Sequence, residues 1–299
     1  MVTAEPGADA ADSASHPPAG QRRAVLARLL ARPSGRIGLA LVLFHIALAM
    51  LSPLIVPYDA AAQGLDAFDA PSAAHWLGTD QLGRDVLSRT MLGSRELLSV
   101  TAQAAGAAIL WGGAAGILLG LAGGLIDDLA LRVVDAFLGI PSLLFLLLIA
   151  FAFRGSTEIV VPAFGFFYGL PVLRIARAAT RGVRDADYVT AARLRGESAF
   201  HMLWAEIRPN VADVILVEGA MEWSWMILAF SSLSFLGLGV QPPTPDWGQM
   251  VADARGYLTI APWAAAAPCA ALVSLVVGLN FLSDALGKAL GIDAIRAPR

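Results

Sequence analysis

Arg174-Ile175-Ala176-Arg177-Ala178-Ala179-Thr180-Arg181-Gly182-Val183-Arg184, followed shortly by Tyr188-Val189-Thr190-Ala191-Ala192-Arg193-Leu194-Arg195-Gly196, opens a polar stretch that closes at Pro209-Asn210. It holds seven arginines (Arg174, Arg177, Arg181, Arg184, Arg193, Arg195 and Arg208) and has the composition of a soluble segment, yet long apolar runs flank it on both sides. A membrane chain that keeps so large a structured loop on one side uses it to meet something in the water. Ala191, Ala192 and Gly196 leave one side of a short helix nearly without side chains, which lets a partner approach the backbone closely. Arg193 and Arg195 point elsewhere and are placed to meet carboxylates at the rim. The competing reading is that the small residues pack this helix on its own bundle and that the arginines only mark the side of the membrane.

Working outward, the rest of the chain is apolar. It is 57% hydrophobic and 15% charged over 299 residues, against roughly 25% charged in an average soluble domain. The apolar residues fall into separate runs of about 20, the length that crosses about 30 Å of hydrocarbon as a helix. Six spans are expected, at 37–57, 98–124, 134–153, 158–175, 213–236 and 261–284. These runs are continuous and rich in Ala, Leu and Gly rather than alternating, which argues against barrel strands. The fold class is all-α, a polytopic membrane protein of about six transmembrane helices. Gly112-Gly113, Gly116, Gly120 and Gly123-Gly124 suit close helix packing of the small-xxx-small type, and Pro141, Pro162, Pro171 and Pro268 are expected to kink or end helices.

Orientation follows from the basic residues, whose excess lies on the cytoplasmic side. With the N-terminus inside, sixteen Arg and Lys fall on inner segments, including the seven of the loop, and five fall outside: Arg84, Arg89, Arg95, Arg154 and Arg255. The expectation is a multi-pass membrane protein with both termini cytoplasmic. Residues 1–36 are read as a disordered N-terminal tail, 37–287 as the transmembrane domain with its loop at about 176–210, and 288–299 as a C-terminal tail. The first span follows about 36 polar residues, too long a lead for a signal peptide, and is read as a retained helix.

Several chemistries are missing. Lys288 is the single lysine and Ala289 follows it, so no phosphate-binding Gly-x4-Gly-Lys-Ser/Thr loop exists. Neither Gly-x-Ser-x-Gly nor His-Glu-x-x-His occurs. Cys269 is the only cysteine and the four histidines are scattered, which leaves no intrachain disulfide and no cysteine-based zinc motif. The chain is read as no enzyme, with no metal site, no cofactor of its own and no nucleic-acid partner.

Two further segments flank the spans. His75-Trp76-Leu77-Gly78-Thr79-Asp80-Gln81-Leu82-Gly83-Arg84-Asp85-Val86-Leu87-Ser88-Arg89 follows the first span, and Leu233-Ser234-Phe235-Leu236-Gly237-Leu238-Gly239-Val240-Gln241-Pro242-Pro243-Thr244-Pro245-Asp246-Trp247-Gly248 follows the fifth. Asp80 and Arg84 stand at i and i+4, so an ion pair on a short helix is available. The prolines make the later segment a stiff non-helical turn, and Trp76, Trp247 and Tyr257 suit the headgroup level. With the Arg174–Asn210 loop between them, these segments resemble, over residues 37 to 290, the permeases of dipeptide, oligopeptide and nickel ABC importers, specifically the second of each permease pair.

The resemblance implies a type I importer architecture and a permease subunit that moves peptide-like or related small solutes. It implies a second homologous permease, two cytoplasmic ATPases that bind ATP and Mg, and an extracytoplasmic solute-binding protein, all in membrane lipid. It also implies that Tyr188, Ala191, Ala192, Gly196 and Pro209 belong to the loop that docks on the ATPase. Thr190 stands where the family usually has an acid, and Glu206 and Arg208 stand where a His or Ile and a Leu are expected, which bears on the fine geometry of that contact. An ion-gradient-driven transporter is the rival class, though it accounts for neither the loop nor the two flanking segments.

Glu218 and Glu222 are the remaining candidates, one turn apart in the fifth span. Carboxyls at membrane depth are costly unless they face water or a partner. Glu222 either faces a translocation cavity and favours a cationic group, or makes a polar contact that holds this permease to its partner, and Glu218 is alternatively a plain interfacial residue.

Overall fold

The computed structural model describes residues 19–291 apart from positions 65 and 154. Among these the chain is helical, with one isolated β-bridge between Thr79 and Asp85. The helices are α1 (Ala19–Ala31), α2 (Pro33–Ile55), α3 (Val86–Ala122), α4 (Gly124–Leu138), α5 (Ser142–Ala152), α6 (Thr157–Arg184), α7 (Asp187–Leu194), α8 (Ala199–His201), α9 (Arg208–Phe235), α10 (Trp247–Ala254) and α11 (Trp263–Ala289). A π-helical turn, Met202–Ile207, joins α8 to α9, so Ala199–Phe235 runs as one rod. Among the described residues five helices are long and apolar enough to cross a membrane, or six when the bent pair α4 and α5 is counted as one broken span.

That broken span departs from expectation. Residues 134–153 were expected as one helix, but α4 and α5 meet at 78°. Pro141 is the cause: it disfavours helical geometry at Ile140 before it, and Gly139 caps α4 through Asp135 O and Phe137 O. The other expected kinks do not interrupt their helices, because Pro162 and Pro171 lie inside α6 and Pro268 inside α11. The segment expected to be a disordered tail is helical from Ala19, with Leu29 packed on Ala285 and Ala289 of α11. Residues 1–18 and 292–299 of the two tails lie outside the described residues.

Glycine sets the closest crossing. Gly112, Gly116 and Gly120 of α3 form a stripe at i, i+4 and i+8 laid on the backbone of α6. A methyl at Gly112 would strike Gly169 O, one at Gly116 would sit 2.5 Å from Leu173 O, and one at Gly120 would sit 2.7 Å from Thr180 Cβ. Packing and interhelical contacts hold helices together in lipid, where no hydrophobic drive remains between them, so close backbone approach contributes directly to their adhesion. Gly38 of α2 does the same against Leu282 and Gly278 of α11. The helix α3 spans about 55 Å at 1.5 Å per residue, well beyond the bilayer core, and begins at Val86 rather than near 98.

The end of the bundle opposite the Arg174–Asn210 loop is a polar knot tying the two flanking segments together. Asp80 and Arg84 do pair, Oδ2 to Nε 2.7 Å, but in a tight turn rather than on a helix. Asp80 Oδ1 instead accepts from the amides of Leu82 and Arg84, which holds that turn. Asp85 caps α3, accepting from Ser88 N at 2.8 Å, with His75 Nδ1 2.9 Å away. Trp247 is no headgroup anchor. It is fully buried, donates from Nε1 to Thr90 O at 2.8 Å, and fits because Gly93 beneath it has no side chain. Trp263 Nε1 donates to Thr79 O at 3.2 Å. Trp76, by contrast, is exposed as expected.

Candidate functional site at the Arg174–Asn210 loop

The stretch that looked like a loop starts as a helix. Arg174 to Arg184 complete α6, which runs about 42 Å without a break, so the loop proper begins at Asp185. Three of its arginines are fastened inward. Arg177 grips the fully buried carboxylate of Asp127 on α4 with both arms, Nε to Oδ1 and Nη2 to Oδ2 (2.6 Å), and Arg181 Nη2 adds a third contact to Oδ2. Arg184 Nη1 donates to Gly120 O at 3.2 Å. A bidentate guanidinium–carboxylate pair is directional as well as strong, so α4 is pinned to α6 one turn above the loop. Asp127 was not among the sequence candidates. Its signal was a lone acid pair, Asp127-Asp128, just after Gly123-Gly124 in an apolar run.

Beyond α6, the helix α7 carries Asp187 in its first turn and Arg193 in its last, complementing its dipole. Its two faces divide cleanly. Val189 and Ala192 are fully buried against the chain, while Tyr188, Ala191 and Leu194 face out, Leu194 at 84% exposure. The expected shallow face is thus split: Ala191 lies on the open side and Ala192 on the packed side. Val189 and Ala192 stand at i and i+3 on the one face that packs on the bundle, which puts Ala192 inside and leaves Ala191, about 100° away, outside. Leu194 and Phe200 (71% exposed) are bare apolar side chains that composition alone did not single out.

Gly196 does not lie on the helix face either. It follows the end of α7 with φ +80°, and its amide donates to Arg193 O while that of Glu197 donates to Ala192 O. This is a Schellman stop, for which a residue without Cβ is preferred. A Cβ there would meet open space, so backbone conformation rather than crowding selects glycine. Arg195 is spent on Glu197, Nη2 to Oε1 2.6 Å. Pro209, expected to stop the segment, sits in the first turn of α9 while the rod continues through it. The π turn before it absorbs the missing amide donor, with Arg208 N bonded to Leu203 O. Burial, and then the carboxylate of Glu206, push the Tyr188 hydroxyl pKa up.

Glu218 and Glu222 lie apart from this loop, half-buried on α9 and close enough to each other for their charges to interact. Glu222 is also within electrostatic reach of Tyr168 on α6. Two apolar hollows lie nearby, and neither is lined by these acids. One of about 560 Å³ lies between α3 and α9, and one of about 680 Å³ lies beside Trp223 and α2. Among the described residues no group of three or more His, Cys, Asp or Glu is placed to hold a metal ion.

Proteins of described role match this chain in sequence along most of their length. The dipeptide transport system permease protein DppC of Escherichia coli (strain K12) is 37% identical over 261 residues, covering 85% of this chain and 87% of its own. The protein of the same description from Haemophilus influenzae is 32% identical, covering 85% and 88%. The glutathione transport system permease protein GsiD of Pectobacterium atrosepticum is 34% identical, covering 83% of each. Residues 112–291, which hold the glycine stripe, the Asp127 clamp, α7 and the rod after it, match the binding-protein-dependent transport system inner membrane component family. The chain is a multi-pass membrane protein and belongs to that family.

Proposed function

We propose that this chain is one half of the membrane channel of an ATP-driven importer of peptide-like solutes, and that α7 is where the energy enters. The observation that carries this reading is the construction of the loop: a short helix with an open face of Tyr188, Ala191 and Leu194, mounted on α6, which is itself clamped to α4 by Asp127. A push on α7 is delivered to α6 and, through the clamp, to the broken α4–α5 span.

In this reading a second, similar permease completes the channel and two ATPase subunits bind ATP and Mg. A solute-binding protein docks on the opposite face, over the knot around Trp247. Closure of the ATPase dimer draws the two α7 helices together and rocks the bundles outward, and hydrolysis resets them. This is a two-state element biased by a ligand on another chain. The loop and both termini lie on the cytoplasmic side of a bacterial inner membrane. The relatives named for dipeptide and glutathione transport support a cargo with a peptide backbone, and Glu222 favours its cationic amino group.

The test is uptake into vesicles that hold the chain with its neighbouring gene products. Dipeptide uptake that needs ATP and survives an ionophore is the expected outcome. Uptake that collapses with the ion gradient and ignores ATP would return the chain to the rival class of secondary transporters.

A further inference from the structure

The hollow between α3 and α9 has features of a lipid seat. Its walls are Ile109, Leu110, Gly113, Ala114, Ile117 and Leu118 on one side, and Ala212, Ile215 and Leu216 on the other. The helices run antiparallel here, with Ile215 packed over Gly113 and Ile109 over Gly219. The absence of side chains at Gly113 and the small Ala114 and Ala212 make the trough. From Ile109 to Leu118 it is about 14 Å long at 1.5 Å per residue, close to half of the about 30 Å hydrocarbon core. That is the depth of one leaflet.

The loop end of the trough is different. Leu203 and Trp204 of the π turn close it, and Arg208 is the one charged residue in its lining. The guanidinium of Arg208 lies 4.6 Å from the centroid of the Trp204 ring, and among the described residues no carboxylate forms a salt bridge with it. A tryptophan and an arginine at one end of an apolar trough are the pairing expected at headgroup level, where aromatic rings and long cationic side chains reach the interface. Basic pockets between spans at that level take anionic headgroups.

We propose that this trough holds one acyl chain of an anionic phospholipid from the leaflet on the loop side, its phosphate on Arg208 and its chain along Gly113 and Ala114. The site would sit against the π turn that connects the loop to α9, so that an occupied trough braces that turn.

Native mass spectrometry of the protein purified in mild detergent and exposed to phosphatidylglycerol and phosphatidylcholine tests this. One phosphatidylglycerol retained in preference to phosphatidylcholine is expected, and Arg208→Gln should lower that preference about fivefold, the effect of a single basic residue near an anionic headgroup. Ala114→Phe fills the trough from an exposed position and should abolish retention of both lipids there. Equal retention of the two lipids by the wild type would overturn the proposal, as would an unchanged preference in Arg208→Gln. A benzophenone attached to cysteine at position 114, in a Cys269→Ala background, should crosslink to lipid in membranes. Capture of another polypeptide instead would mean that a protein covers the trough, and the proposal fails.

Discussion

Asp127 offers the sharpest test of how the loop is tied to the bundle. Its carboxylate is fully buried and faces two guanidiniums, of which Arg177 is 12% exposed and Arg181 is 40% exposed. Asp127→Asn keeps the shape and removes the charge, leaving the largely covered Arg177 with only Asp128 as a counter-charge. Breaking a buried pair by removing one partner costs about 3–5 kcal/mol. The Arg181 share is largely screened by water, and Asp128 stays within electrostatic reach of Arg177, so about 2 kcal/mol is the expected loss. That lowers the unfolding midpoint by roughly 4–8 °C. The assay is thermal unfolding of the detergent-purified protein, run on Asp127→Asn, Arg177→Gln and the double variant. The double variant should lose much less than the sum of the two singles, since each single already breaks the pair. Uptake should fall in Asp127→Asn while assembly with partner chains is kept, because α7 then moves α6 without moving α4. A midpoint indistinguishable from wild type, or strictly additive losses, would refute the clamp.

Gly196→Leu forces a side chain onto a left-handed residue, costing about 1–2 kcal/mol at the end of α7, and should uncouple ATP hydrolysis from uptake. Gly196→Asn, which tolerates that conformation, should stay near wild type, and full uptake in Gly196→Leu at normal membrane levels would count against the coupling role. In a Cys269→Ala background, Ser198→Cys should react with an impermeant thiol reagent only from the cytoplasmic side and Thr244→Cys only from outside; the reverse pattern overturns the orientation. Glu222→Gln should slow uptake of cationic dipeptides more than neutral ones, whereas equal rates remove its substrate role and loss of the permease pair makes it a contact residue. Burial raises the pKa of Asp246, the cap of α10. Its ionised form therefore weakens the fold, and stability falls as pH climbs from the unfolded value through the raised folded one. Asp246→Asn caps as well and should flatten that slope in unfolding measured across the acidic range, while an unchanged slope would assign it to another group.

Much of this protein is legible along the chain, because spans and loops follow from local composition. About 20 apolar residues in a row must be helical in lipid, where every backbone amide needs an internal partner. The glycine stripe at 112, 116 and 120 could be read from spacing alone, since a four-residue step returns to one helix face. The polar stretch ending at Asn210 stood out by contrast with its neighbours. Gly196 was noticed as well, though for crowding it does not have.

What only the tertiary structure decided are matters of which distant residues meet. Trp247 carries the same letters whether it lies at a headgroup or under α3, and the choice depends on Gly93, more than 150 positions earlier. Ala191 and Ala192 are alike until the bundle claims one face of α7. Pro209 reads as a stop, yet a π turn upstream carries the helix through it. Asp127 drew no reading from the sequence, and only the fold sets Arg177 and Arg181 around it. In each case the local chain permits two placements of similar energy, and the contact that separates them comes from a residue that is remote in sequence or from a turn that only packing forms.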